Sequence, residues 1–230
     1  MIEKNLELIF STVKNGNNLG EEIAVVGASK TMSAEVINRA VSAGLKIVAE
    51  NKVQEFREKT ALINKACEQQ FIGHLQTNKV KYLVGNVTLI HSVDSIHLAE
   101  EIDKEAKKKN FIQNILVEVN IGNEQSKSGF DFNKTADAVK DIAKNYSNLS
   151  VVGLMAMLPK TDDQNYLISL CKDMRKLFDT LKGEGLPFKY LSMGTSGDFK
   201  IAINNGSNMI RLGTTIFGER NYGEKNNGNI

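Results

Sequence analysis

The chain has 230 residues, 41% of them hydrophobic and 24% charged, and its 29 Lys and Arg against 27 Asp and Glu leave a net charge of +2. That balance excludes a disordered or fibrous chain and provides no global basic footprint for nucleic acid. Two cysteines, Cys67 and Cys171, are too few for a disulfide framework or a cysteine-built zinc site, and a compact fold of this length buries roughly 70% of its unfolded surface without either. In chain order, Leu6–Val13 reads as a helix, and Ile23–Ala28 (IAVVGA) as a buried strand. A helix capped by Ser33 follows, with Val36, Ile37, Ala40 and Val41 on one face and a stop at Gly44. Further strands are expected at Ile47–Ala49, Phe71–His74, Leu89–Val93, Ile115–Val119, Val151–Met155, Tyr190–Met193 and Met209–Leu212. Helices are expected at Lys52–Ala66, Ile96–Lys108 and Asn133–Tyr146, and from Thr161, where Thr161-Asp-Asp-Gln164 has the form of a capping box. In that last helix Leu167, Leu170, Cys171, Met174, Leu177, Phe178 and Leu181 form one apolar stripe.

Eight apolar strands separated by helices imply a parallel sheet covered on its outer face. The count and length fit a single-domain α/β fold, a (β/α)8 TIM barrel over residues 1–222 with an additional N-terminal helix and a disordered polar tail at 223–230. A doubly wound open sheet is the alternative. The longest stretch without a charged residue, Asn145–Pro159, is too short to span a membrane, and the N-terminus lacks a signal-peptide core, so the location reads as cytoplasmic. The basic run Lys104–Lys109 is interrupted and flanked by Glu100, Glu101, Asp103 and Glu105 and reads as a solvated helix face, not a nucleic-acid site. His91 and His97 lack a partner at metal spacing and read as structural, and Met155 and Met157 as barrel or pocket filling.

In a barrel, function sits where strands end at their carboxyl side. Lys30 directly follows the first strand. An amine at a barrel mouth is suited to a Schiff base with an aldehyde, whereas a bland reading has it snorkelling to solvent. After the last two strands, Gly194-Thr195-Ser196-Gly197 and Gly213-Thr214-Thr215 combine glycines with hydroxyls, the materials of a phosphate site or of two ordinary turns. Arg211 is expensive inside an apolar strand unless something pairs with it, and an ion pair with a glutamate is one answer. Amine, phosphate cradle and inward cation together suit an aldehyde carrying a ring and a phosphate, a description met by pyridoxal 5′-phosphate (PLP); aldolase-type sugar-phosphate lyases use similar parts.

Ala28-Ser-Lys-Thr31, Glu50-Asn-Lys-Val-Gln-Glu55, Phe71-Ile-Gly-His-Leu-Gln-Thr-Asn-Lys-Val-Lys81, Gly153-Leu-Met155, Leu191-Ser-Met-Gly-Thr-Ser196 and Arg211-Leu-Gly-Thr-Thr-Ile-Phe-Gly218 stand in this order along the chain. With them the sequence resembles, over nearly its whole length, the pyridoxal phosphate homeostasis protein family, related to the barrel domain of alanine racemase. The resemblance implies that Lys30 forms a Schiff base with PLP. It implies that Ser196, Gly213 and Thr214 hold the phosphate with help from Thr195, and that Arg211 faces the pyridine nitrogen. The resemblance also implies that Asn51 approaches the phenolic side of the ring, with His74 at the same rim. The chain departs from the family at Val48-Ala49, where phenylalanine and glycine are common, and at Thr195, where methionine is. Racemases add a tyrosine from a second domain, for which the barrel leaves no room in this chain. The implied function is therefore PLP homeostasis without appreciable turnover, in a monomer whose partners are PLP and PLP-requiring apo-enzymes, with a PLP-dependent amino-acid racemase or lyase as the alternative.

Overall fold

The computed structural model describes residues 1–124 and 127–219. The chain opens with α1 (Ile2–Val13), then β1 (Ala24–Ala28), α2 (Ala34–Ser42), β2 (Ile47–Glu50), α3 (Val53–Lys59), β3 (Glu68–Phe71), β4 (Leu89–Val93), α4 (Ile96–Lys108) and β5 (Gln113–Asn120). It continues through β6 (Phe130–Asp131), α5 (Phe132–Asn145), β7 (Leu149–Ala156), α6 (Gln164–Gly183), β8 (Tyr190–Ser192), α7 (Phe199–Ile203), β9 (Met209–Leu212) and α8 (Thr214–Phe217). Every strand pairing is parallel, in the order β4-β3-β2-β1-β9-β8-β7-β5, and β4 pairs with β5 to close the ring. The result is the expected eight-stranded barrel, with α1 as the addition before it. The open-sheet alternative is excluded by that closure.

Alternation along each strand sorts side chains into two shells. Val26, Ala49, Leu89, Leu116, Val152, Met155 and Met209 fill the barrel interior. Their neighbours in sequence point outward, where the helices cover them; Phe71, Phe178 and Ile115 are fully buried there. The α1 helix belongs to this outer shell, with Ile2, Leu6 and Ile9 buried beside Ile37, Ile216 and Phe217. Register carries the sorting into polar positions. Arg211 lies beside Val26, Ser192 beside Met209, Glu118 beside Met155 and Gln70 beside Ala49, so all four point into the barrel.

Three local expectations need correction. The third strand is Glu68–Phe71, not Phe71–His74: Ile72, Gly73 and His74 lie past the ladder, and the polar residues before them are the paired ones. The Lys52–Ala66 helix stops at Lys59 and tightens into a 3-10 turn at Thr60–Leu62. There Asn38 draws the chain away, donating to the Leu62 carbonyl at 2.8 Å and accepting from the Asn64 N–H at 2.9 Å. The α6 helix is capped by Asp163, which accepts from the Tyr166 N–H at 3.0 Å, while Thr161 accepts from the Asp163 N–H two residues too early to be the cap. The short β6 went unforeseen; it adds to β5 outside the ring. The polar tail at 223–230 lies outside the described residues. Among the described residues no helix is long and apolar enough to cross a membrane.

Candidate functional site

Parallel strands in a barrel deliver their carboxyl ends to one mouth, and four of these ends meet here. The turn after β1 carries Lys30, the end of β2 carries Asn51, the turn after β8 carries Thr195 and Ser196, and β9 supplies Arg211 with Gly213 and Thr214 beyond it. One pocket of about 220 Å³ is lined by all seven, together with Ala28, Ile72 and Met157. Residues up to 184 positions apart in sequence, Lys30 and Thr214, thus face one space. His74 does not line it. Its side chain is 63% exposed on the neighbouring rim and stands 3.2 Å from Asp94.

Arg211 is 4% exposed, and burial brings its guanidinium down to about 10, which leaves it charged at neutral pH. The expected ion pair with a glutamate is not its partner set. It donates instead to the Ser192 carbonyl (2.8 Å), Ser192 Oγ (2.6 Å) and the Ala156 carbonyl (3.0 Å), with Met157 Sδ at 3.0 Å. Ser192 Oγ in turn lies 3.4 Å from His91 Nδ1, and His91 Nε2 lies 2.7 Å from Gln70 Oε1. Burial, and secondarily the charge of Arg211, holds His91 well below its ordinary range, so the imidazole is neutral. It donates from Nε2 to Gln70 and accepts the Ser192 hydroxyl at Nδ1. Ser192, His91 and Gln70 escaped the sequence reading as a set; the signal was their inward register.

On the opposite wall the loops keep donors free. Among the described residues, the N–H groups of Ser196, Gly197, Gly213 and Thr214 meet no acceptor. Ser196 Oγ accepts the Thr215 N–H at 3.2 Å, which leaves its own hydrogen for a ligand. Thr195 is bound differently: its N–H and hydroxyl both go to Asp198 Oδ1, at 2.5 and 3.2 Å, and brace the loop. No described carboxylate or carbonyl takes up Lys30 Nζ, and Asn51 Oδ1 is buried without a partner. An unengaged amine, an orphaned amide oxygen, a buried cation and a cluster of free N–H groups fit a ligand bearing a carbonyl, a ring and a dianion.

The comparisons agree in one direction. The family model described as alanine racemase, N-terminal domain, matches residues 2–221. A pyridoxal phosphate homeostasis protein of Aquifex aeolicus (strain VF5) is 43% identical over 206 residues, covering 88% of this chain and 90% of that one. The chain belongs to the pyridoxal phosphate homeostasis protein family. Of solved members of the wider fold, PipY of Synechococcus elongatus PCC7942 with PLP bound superposes with a TM-score of 0.84 at 26% identity, over 95% of this chain and 100% of that one. An alanine racemase of Clostridium difficile 630 shares the fold alone, at 16% identity and a TM-score of 0.74, with 57% of its length covered. Of the departures of this homeostasis-family member, Thr195 lines the pocket next to Ser196, whereas the pair at Val48-Ala49 sits away from the free donors. Val48 faces the helices and Ala49 the barrel interior, both buried, and neither lines the pocket.

Proposed function

We propose that this chain holds PLP reversibly as a Schiff base on Lys30 and acts in intracellular PLP homeostasis without appreciable turnover, as a cytoplasmic monomer that exchanges the cofactor with PLP-requiring apo-enzymes. The observation that carries the reading is the unengaged Lys30 amine and the free N–H groups of two loops lining one pocket. PLP would supply an aldehyde, and Lys30 would offer the amine suited to condense with it, with water as the leaving group. Ser196, Gly213 and Thr214 would hold the phosphate through hydroxyl and backbone hydrogens, with Thr195 bracing the loop that carries Ser196. Asn51 would offer its amide to the ring's phenolic side. Arg211, kept charged and immobile by its carbonyl partners, would keep the ring nitrogen unprotonated and so weaken carbanion chemistry.

Turnover as a racemase or lyase needs a second acid or base beside the amine. Among the described residues that line the pocket, Lys30 is the one side chain suited to that work. Tyr190 opens β8 at the far end of the barrel, and the Tyr82 ring lies under the Arg57 guanidinium at 4.2 Å. Purified protein mixed with PLP is expected to develop visible Schiff-base absorption that Lys30→Ala abolishes. A Lys30→Ala variant with the wild-type spectrum overturns the assignment of the amine, and sustained deuterium exchange at the α-carbon of an amino acid overturns the absence of turnover.

A further inference from the structure

Thr31, the residue after Lys30, has φ of +69°. Among the described residues two other non-glycine positions are positive, Asn110 and Asn123, and asparagine tolerates that region. A β-branched threonine does not, and it keeps such a backbone only where its surroundings impose it. The surroundings here are a cluster from β2 and α3. Thr31 N–H donates to Glu55 Oε2 at 2.7 Å. Lys59 Nζ donates to the same oxygen at 2.9 Å, to Glu50 Oε1 at 3.0 Å and to the Ser29 carbonyl at 3.4 Å. Ser29 Oγ also donates to Glu50 Oε1, at 2.7 Å. The residues on both sides of Lys30 are therefore tied to one cluster, and the lysine itself is not.

We infer that Glu55, with Lys59 and Glu50 behind it, is a clamp that holds Thr31 in the left-handed region and thereby aims Lys30 into the pocket. This rests on the reading of Lys30 as the reacting amine. The cluster is an expensive way to fill space. Its side chains are 8–18% exposed, two carboxylates share one ammonium, and Glu50 Oε2 is buried without a partner. Burial raises Glu50 despite its bonds from Ser29 and Lys59. For Glu55, burial pushes the same way, but the bonds from Lys59 and the Thr31 N–H outweigh it and hold the carboxyl low. The oxygen that grips Thr31 is thus the one kept ionised. Lys52, on the near side of α3, adds to that preference. All three are positioning residues: they reach the ligand only through the turn they shape.

The test uses Glu55→Ala, Glu55→Gln, Thr31→Gly and the Glu55→Ala/Thr31→Gly double variant, each read three ways. Glu55→Ala is expected to slow the PLP absorption band by roughly ten- to a hundredfold, the scale of a misplaced reacting group. Its affinity for pyridoxine 5′-phosphate, the alcohol analogue that meets the same donors without reacting, is expected to stay within about threefold of wild type. Glycine enters the left-handed region freely, so the double variant is expected to recover most of the lost rate, which a merely structural defect would not do. Glu55→Gln keeps an acceptor for the Thr31 N–H and is expected to fall between; it also serves if the alanine variant folds poorly. Hydrogen exchange of the Thr31 amide in the protein without PLP is the third measurement, protected in wild type and fast in Glu55→Ala. Unchanged exchange, or a double variant as slow as Glu55→Ala, overturns the clamp. A wild-type protein without any PLP band overturns the reading of Lys30, and the exchange result then decides the clamp alone.

Discussion

Arg211 occupies a place where a cation is costly, and the groups around it show how the barrel accommodates the charge. Two carbonyls and a hydroxyl take its N–H groups, but none of these is an anion. Glu118 supplies the field instead: it points into the barrel at 9% exposure, and no hydrogen bond reaches its carboxyl among the described residues. Burial, with Asp94 as the second cause, pushes Glu118 up to about 7, against the pull of Arg211 and His74. In the unfolded chain the same group sits near 4.5. Below that pH it is protonated in both states and costs nothing; as pH rises through about 7 the folded state must bury a charge, and stability is lost. Glu118→Gln imitates the protonated form. It is expected to stabilise the protein by on the order of 3 kcal/mol at about pH 8.5 and by almost nothing at about pH 4.5. Urea unfolding followed by far-UV circular dichroism at both pH values measures the difference; equal effects at the two would show that Glu118 does not titrate in this window. The expense of Arg211 was legible from one arginine in an apolar run. Its solution was not, because Ser192 and His91 stand 101 positions apart and meet only once the barrel closes.

At the scale of elements, the alternation of apolar runs and helical stripes made the eight strands readable, since buried parallel strands are apolar on both faces. Leu89–Val93, Met209–Leu212 and the helix Ile96–Lys108 fall where their patterns place them. The failures share a cause. The apolar pattern marks only the end of the third strand, because its inward Gln70 is polar and accepts from His91, and a pattern of hydrophobicity cannot register a distant partner. The α3 helix was overextended for the same reason, since Asn38 breaks it from another helix. The misplaced third strand leaves Gly73 in the segment just past the ladder, where a Cβ would come 1.9 Å from the Asn51 carbonyl oxygen. The ends of β2 and β3 approach too closely there for any side chain. Gly73→Ala is expected to force them apart, at about 1–3 kcal/mol of stability, and to weaken PLP binding by moving Asn51. Thermal unfolding and a PLP titration check the two parts. A variant that loses stability but binds PLP as wild type would detach Asn51 from the site.

For the whole molecule, closure of the barrel settles which surfaces are left for partners. All strand edges of the ring are paired, so the ring itself offers no edge to another chain, and the near-neutral net charge creates no long-range attraction to a polyanion. The large exposed apolar side chains among the described residues are spread over several elements: Met1 and Leu8 at α1, Leu19 before β1, Leu62 in the turn after α3, Phe111 and Ile112 before β5, Met157 at the pocket and Tyr166 on α6. A stable dimer covers roughly 1,000 Å² or more with an apolar centre, and single side chains on separate elements do not compose such a patch. Sedimentation equilibrium at micromolar concentration is therefore expected to return 25.4 kDa, with and without PLP. The pocket bears on this result as much as the surface does. Met157, 42% exposed, touches Arg211 and stands at the pocket wall, so a partner copy seated there would cover the ligand. Twice the monomer mass, or a mass that doubles when PLP is added, would mean that the mouth is closed by a second subunit. It would also remove the physical basis for reversible exchange, because a cofactor that has to pass to other proteins needs a mouth that opens to solvent.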